Sequence, residues 1–165
     1  AIAAAGPVAG TTTAEWDRVM DTDLKAPFFF ARAAVPHLKG RPGANVVNVS
    51  SVTGCRPYAN LAPYCVAKAG LNMFTQCLAL EMAPHGVRVN AITPGVVTTN
   101  LHKASNAVPD YDAFLARSKE THPLGFVGAP EDAAELVAFL VSDRARWITG
   151  AVYALDGGRE LTSLR

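Results

Sequence analysis

The sequence predicts a doubly wound α/β fold, a parallel sheet with helices on both faces. Three observations carry that prediction. Short runs rich in Val and Ile, bounded by breakers, recur along the chain. None of them alternates apolar with polar residues cleanly, as expected of parallel strands covered on both sides. Helical patterns separate them, and such alternation joins parallel strands through right-handed crossovers.

Taken in order, residues 1–6 (AIAAAG) read as the tail of a strand. A long helical pattern over 12–38 opens with a capping box from Thr12 to Glu15 and should bend near Pro27. Residues 44–51 (ANVVNVSS) read as a buried strand, and a 52–62 loop leads into a second long helix over 63–83, with Pro63 at its first position. Residues 87–93 (VRVNAIT) form the next strand. A helix over 129–143 has Pro130 at its start and Glu131 and Asp132 in its first turn, where the helix dipole favours anions. Residues 150–156 (GAVYALD) close the sheet. The pattern contains no internal repeat and no low-complexity linker.

Composition narrows the function classes. With 165 residues, 50% of them apolar and 18% charged, the chain is long enough for one domain with a sizeable core. The formal net charge is +1 and no Lys/Arg run occurs, which argues against nucleic-acid or acidic-membrane partners and leaves small molecules and proteins. No apolar stretch reaches the length of a membrane span, and AIAAAGPVAG lacks the basic region of a signal peptide. Cys55, Cys65 and Cys77 form no C-x-x-C and are odd in number, the usage of a reduced, intracellular (cytoplasmic) protein. The four histidines are scattered and show no metal-ligand spacing. Asn48 begins an N-V-S acceptor triplet, but a buried strand is no place for a glycan.

One polar pair breaks an apolar helix. Tyr64 and Lys68 are four residues apart and share a helix face. Ligands of open parallel sheets bind at the carboxyl ends of the strands. Ser50 and Ser51 end one strand there, Thr93, Pro94 and Gly95 end the next, and the 52–62 loop leads into the Tyr64 helix. The pair is therefore expected to face a cleft. Leu71, Phe74 and Leu78 read as core or subunit contact, and Trp16, Phe28 and Phe29 as packing.

These residues carry a resemblance. Ser51, Tyr64 thirteen residues later and Lys68 resemble the Ser…Tyr-x-x-x-Lys signature of short-chain dehydrogenases/reductases. The blocks NVVNVSS, YCVAKAGLNMFT, LALEMAPHGVRVNAITPGVVTT and SDRARWITGAVYALDGG are similar to that family in the family's order and cover nearly the whole chain. The nearest likeness is to 3-oxoacyl-carrier-protein-reductase-like members.

The resemblance implies a Rossmann-like single domain, NAD or NADP as cofactor, and interconversion of a secondary alcohol and a ketone by hydride transfer. It implies that Tyr64 is the acid/base, that Ser51 orients the substrate oxygen, and that Lys68 binds the nicotinamide ribose. A free phenol has a pKa of about 10, and a neighbouring ammonium is expected to lower it. Pro94, Gly95, Val97 and Thr99 match the family's P-G-x-x-x-T, which contacts the nicotinamide, and Gly6 falls on the cofactor side of the first strand. Thr53 and Tyr58, with Cys55, are candidates for the substrate pocket or for loop packing. Family members associate through the two long helices, which implies a homo-oligomer, dimer or tetramer.

The chain departs from the family at three places. No glycine-rich T-G-x-x-x-G-x-G turn is present, so residues 1–165 read as the C-terminal portion of such a domain, N-terminally truncated and lacking its first strands. Ala3, Ala4, Ala5 and Gly6 stand where the family has N-N-A-G. Asp23 stands where a catalytic Asn holds a water at the helix kink, and its charge is placed to pair with Lys68. Such a chain is expected to leave an apolar sheet edge open and to be inactive alone. The alternative reading is a catalytically silent family member acting as a binding or oligomerisation module.

Overall fold

A computed structural model describes residues 5–101, 108 and 110–162. The helices are α1 (Thr13–Met20), α2 (Ala26–Leu38), α3 (Ala62–Met82), α4 (Tyr111–Thr121) and α5 (Pro130–Val141). The strands are β1 (Asn45–Val49), β2 (Arg88–Pro94) and β3 (Val152–Leu155), in the order β1-β2-β3. Both pairings are parallel, with Val49 opposite Ile92 and Ala91 opposite Val152. This is the expected α/β architecture, with β1 and β3 shorter than their apolar runs and β2 shifted by one residue from its run. The strand tail expected at the opening falls largely on residues 1–4, outside the described residues.

The central strand β2 is buried along its length because a strand with neighbours on both edges and helices on its faces meets no water. Val89, Ala91 and Ile92 are all fully covered. Its polar residues are covered too, and each has partners. Asn90 donates to Ile148 O and accepts from Ala151 N, which pins the start of β3. Arg88 donates to Leu140 O and Ser142 O, closing carbonyls at the end of α5 that the helix itself leaves open.

The core joins α2, α3 and β2 through Ala31, Leu78, Ala79, Met82, Val87 and Val89, with Phe74 packed against it. Leu71 and Leu78 are buried as the stripe on α3 predicted. Trp16, Phe28 and Phe29, read as packing, pack only in part, with the Phe28 ring 5.5 Å from that of Phe29. They are 39%, 46% and 41% exposed, because they lie on the outer side of their helices, although the Phe28 ring still meets Phe74 at 5.3 Å. Asn48 points inward and donates to Thr75 Oγ1 at 2.8 Å, in keeping with its dismissal as a glycan acceptor. Among the described residues β1 pairs only with β2, and its Val49 is 56% exposed. The open edge expected of this chain belongs to the opening strand, residues 1–6, which falls largely outside the described residues.

The long first helix does break before Pro27. A π turn over Asp21–Lys25 separates α1 from α2, and the Ala26 N–H donates to Asp21 O, one residue further than in an α-helix. Pro27 has no N–H to send to the Asp23 carbonyl, so the α ladder fails here, and the extra residue turns Asp23 inward, where it is 2% exposed.

Truncating Ile92 to Ala should lower the unfolding free energy by about 2–5 kcal/mol, the usual cost of a cavity in a sealed core. Val8→Ala, at a residue 76% exposed, should change it by less than about 0.5 kcal/mol. Urea denaturation of the two variants checks both.

Candidate active site

Two close backbone approaches assemble the site on α3. A Cβ at Gly54 would lie 2.7 Å from the Lys68 backbone carbon, so the short turn Val52–Gly54 rests directly on the helix. A Cβ at Gly70 would lie 2.9 Å from Leu24 Cδ2, so the π turn does the same from the other direction. Glycine at both positions lets Ser51 and Asp23 converge on one helical turn.

Lys68 is 4% exposed. Its Nζ lies 3.1 Å from Asp23 Oδ1 and donates to Val49 O at 3.2 Å. An ammonium has three donors, so one remains for the cavity. Nζ also sits 5.5 Å from the centre of the Tyr64 ring. Ser51 accepts the Thr53 N–H on Oγ at 3.2 Å, which leaves its own O–H to donate towards the neighbouring Tyr64 phenol, a polarity that favours the phenolate. Ser50 anchors the end of β1 by donating its N–H to Ile92 O and its hydroxyl to Lys68 O.

Tyr64 corrects the sequence-based expectation. Its phenol is pushed up to about 12 rather than down. Burial is the larger cause and the negative charge of Asp23 the next, opposed by the Ser51 hydrogen bond. The lysine was expected to favour the phenolate, but Asp23 neutralises that ammonium at contact distance. Without net positive charge beside it, a buried phenol keeps its proton.

These groups open onto a cavity of about 910 Å³. Asp23, Ser51, Tyr64 and Lys68 line it, and so do Thr53 and Tyr58. Pro94, Gly95, Val97 and Thr99 form another part of its wall. Gly6 does not line it. Its N–H donates to Asn60 O, while Ala5 beside it reaches the cavity. Thr53 Oγ1 is buried with no hydrogen-bond partner, an orphan that the cavity's contents can satisfy.

The stretch after β2 offers a second binding feature. Val97 bridges Gly128, but the two hydrogen bonds run from Thr98 N to Gly128 O and from Gly128 N to Val96 O. The N–H and C=O of Val97 itself take no partner among the described residues. A free donor and acceptor on one cavity-lining residue suit a ligand carboxamide. His122, a residue the sequence reading passed over, braces this stretch. It is 3% exposed, accepts the Val96 N–H on Nε2 at 3.2 Å and donates from Nδ1 to Ser118 O. A histidine 26 positions away carries no spacing signal. Among the described residues no group of His, Cys, Asp or Glu is arranged to hold a metal, and no helix is long and apolar enough to cross a membrane.

The family model described as "Enoyl-(Acyl carrier protein) reductase" matches residues 1–160. The chain belongs to the short-chain dehydrogenase/reductase family. It is 41% identical over 162 residues to 3beta-hydroxysteroid dehydrogenase 1 of Eggerthella lenta, covering 97% of this chain and 60% of that protein. Thermoplasma acidophilum aldohexose dehydrogenase in ligand-free form superposes with a TM-score of 0.91 at 28% identity, over 99% of this chain and 66% of that one. A 4-hydroxyisoleucine dehydrogenase mutant complexed with NADH and succinate gives 0.88 at 30% identity, over 99% and 66%. The chain thus spans about three fifths to two thirds of the short-chain dehydrogenases/reductases it matches here. Its fold is the Rossmann-like parallel α/β fold of these relatives.

Asp23→Asn should bring the Tyr64 phenol down from about 12, because it removes the charge that opposes the phenolate. Phenolate absorbance followed against pH, with Tyr64→Phe subtracted, reads the shift. An unchanged or raised midpoint would contradict this account of the site.

Proposed function

We propose that the protein is an NAD(P)-dependent oxidoreductase that interconverts a secondary alcohol and a ketone. The observation that carries this reading is the Ser51, Tyr64 and Lys68 cluster facing one cavity, with the unpaired Val97 backbone on another part of its wall. The dehydrogenase names of the relatives and the NADH complex of one solved neighbour support it.

The fit of the nicotinamide rests on the Val97 amide and carbonyl, with the Thr99 hydroxyl beside them for the carboxamide. The remaining donor of Lys68 serves the ribose hydroxyls. The bound dinucleotide supplies or accepts the hydride at the carbinol carbon. The protein's own groups handle the proton and the position. Ser51 donates to the substrate oxygen and holds it against the Tyr64 hydroxyl. Tyr64 gives its proton to that oxygen as a ketone is reduced, or takes one as an alcohol is oxidised. Asp23 and the Val49 carbonyl fix the direction of the Lys68 ammonium. A phenol held protonated favours the acid role, so ketone reduction is expected to persist through neutral pH. It should fall only as pH rises towards the phenol's pKa, whereas alcohol oxidation should gain with alkalinity. NAD and NADP are both accommodated by this reading.

Association through the helices is part of the proposal. Phe30, Met73 and Leu80 are 79%, 60% and 79% exposed on α2 and α3, a concentration of apolar surface that a homodimer or tetramer would cover. Two observations favour a second reading, a silent binding or oligomerisation module: this apolar surface, and the aspartate that keeps the phenol from ionising.

In the complete natural polypeptide, Tyr64→Phe should lower turnover of a ketone with NADH or NADPH by about 10²–10⁴-fold. Asp23→Asn should keep or raise it. Turnover indifferent to Tyr64→Phe would remove the phenol from the mechanism, and nicotinamide-free association without turnover would favour the silent module. Phe30→Glu should shift the oligomer to smaller species in sedimentation velocity while the fold, read by circular dichroism, persists.

A further inference from the structure

The charged residues lining the cavity are Asp23, Lys68, Arg117 and Arg159. The first two are an ion pair at 3.1 Å and cancel. Two guanidinium groups remain, and neither makes a salt bridge among the described residues. The acids nearest Arg159 in sequence do not answer it. Asp156 receives Gly158 N and Glu160 N on its two carboxylate oxygens, and Glu160 points to solvent.

Arg159 is held in place. Its Nη1 donates to Thr121 O at 3.1 Å, and its guanidinium carbon lies 5.7 Å from the centre of the Tyr58 ring. The buried Arg56 holds the same turn. It donates to the Arg159 carbonyl and to Thr162 Oγ1, and lies 5.3 Å from the Tyr58 ring centre. Arg117 precedes Thr121 by one helical turn, so α4 presents both on the face that lines the cavity. Arg159, bonded at Thr121 O, and Arg117 thus share the part of the wall that the end of α4 forms. A guanidinium has five N–H donors in a fixed fork, of which Arg159 spends one on Thr121. Two such cations in a concave wall, neither in a salt bridge among the described residues, raise the local concentration of anions and match a planar oxyanion.

We infer that the substrate of this cavity carries an anionic group, a carboxylate or a similar oxyanion, bound by Arg159 and Arg117 beside the Tyr58 ring. The inference rests on the oxidoreductase reading only in assigning the cavity to a ketone or alcohol. Arg56 is a positioning residue, since it holds the Arg159 turn and does not line the cavity.

The experiment compares isosteric probe pairs on the complete polypeptide with NADH or NADPH present: 4-acetylbenzoate against 4-acetylbenzamide, and 4-oxopentanoate against its amide. Calorimetric binding should favour the anion at least tenfold in one pair, with the preference shrinking as salt rises. Arg159→Gln and Arg117→Gln should each remove most of that preference and leave the amide's affinity unchanged. Arg117 is exposed and makes no side-chain hydrogen bond among the described residues, so its variant reports even where Arg159→Gln fails to fold. No anion preference in either pair overturns the inference. So does a loss of NADH or ADP-ribose affinity in the arginine variants with keto-acid affinity intact, which would give the arginines to the cofactor's phosphates. Tyr64→Phe separates the two proposals, because it should abolish turnover and spare the anion preference. Anion preference without turnover in the unaltered protein would sink the oxidoreductase reading alone.

Discussion

The structure turns on one buried ion pair. Asp23 and Lys68 meet at 3.1 Å, with side chains 1% and 5% exposed. Removing two charges from water is costly, and the cost is offset only where geometry is good and the remaining polar atoms are bonded. Here the Val49 carbonyl takes a second Lys68 donor. The contact joins the π turn, the middle of α3 and the end of β1. Losing either partner would leave the other buried without this ion pair, which is costly.

The pair also sets the chemistry of its neighbour. An unpaired ammonium one turn from a phenol would stabilise the phenolate. With a carboxylate on the ammonium, the field at Tyr64 loses its positive sign and burial dominates, so the phenol is held near 12. A site of this kind stores a proton, not a negative charge. Among the described residues it also leaves the cavity with guanidinium groups as its uncompensated charges, which separates an uncharged reaction end from a cationic end.

Rigidity comes from elements that do not react. His122 accepts one backbone N–H and donates to one carbonyl, so a single neutral tautomer ties the end of α4 to the loop after β2. Arg88 and Asn90, both buried in β2, tie that strand to the end of α5 and the start of β3. Polar side chains inside the layer therefore fix the registration of segments that apolar contacts alone would leave free to slide. Phe30 on α2 and Met73 and Leu80 on α3 leave apolar surface on the outer faces of those helices.

The resemblance to the family pointed to Asp23, while the sequence by itself determined the alternation of strands and helices, the parallel pairing and the placement of Ser51, Tyr64 and Lys68 at one end of the sheet. Those features follow from local periodicity, from helix breakers and from spacing within a single helix, all of which a linear string carries. Only the tertiary structure decided the state of the phenol, because that depends on which charge stands against Lys68 and how much water is excluded. It alone also brought His122 to Val96, and Arg159 to Thr121 and Tyr58. These contacts span 26, 38 and about 100 residues of chain, and no periodicity links positions that meet only when strands and crossovers have packed. The exposure of Phe28 and Phe29 was likewise hidden, since an aromatic pair on a helix reads the same whether its face meets the core or a vacant surface.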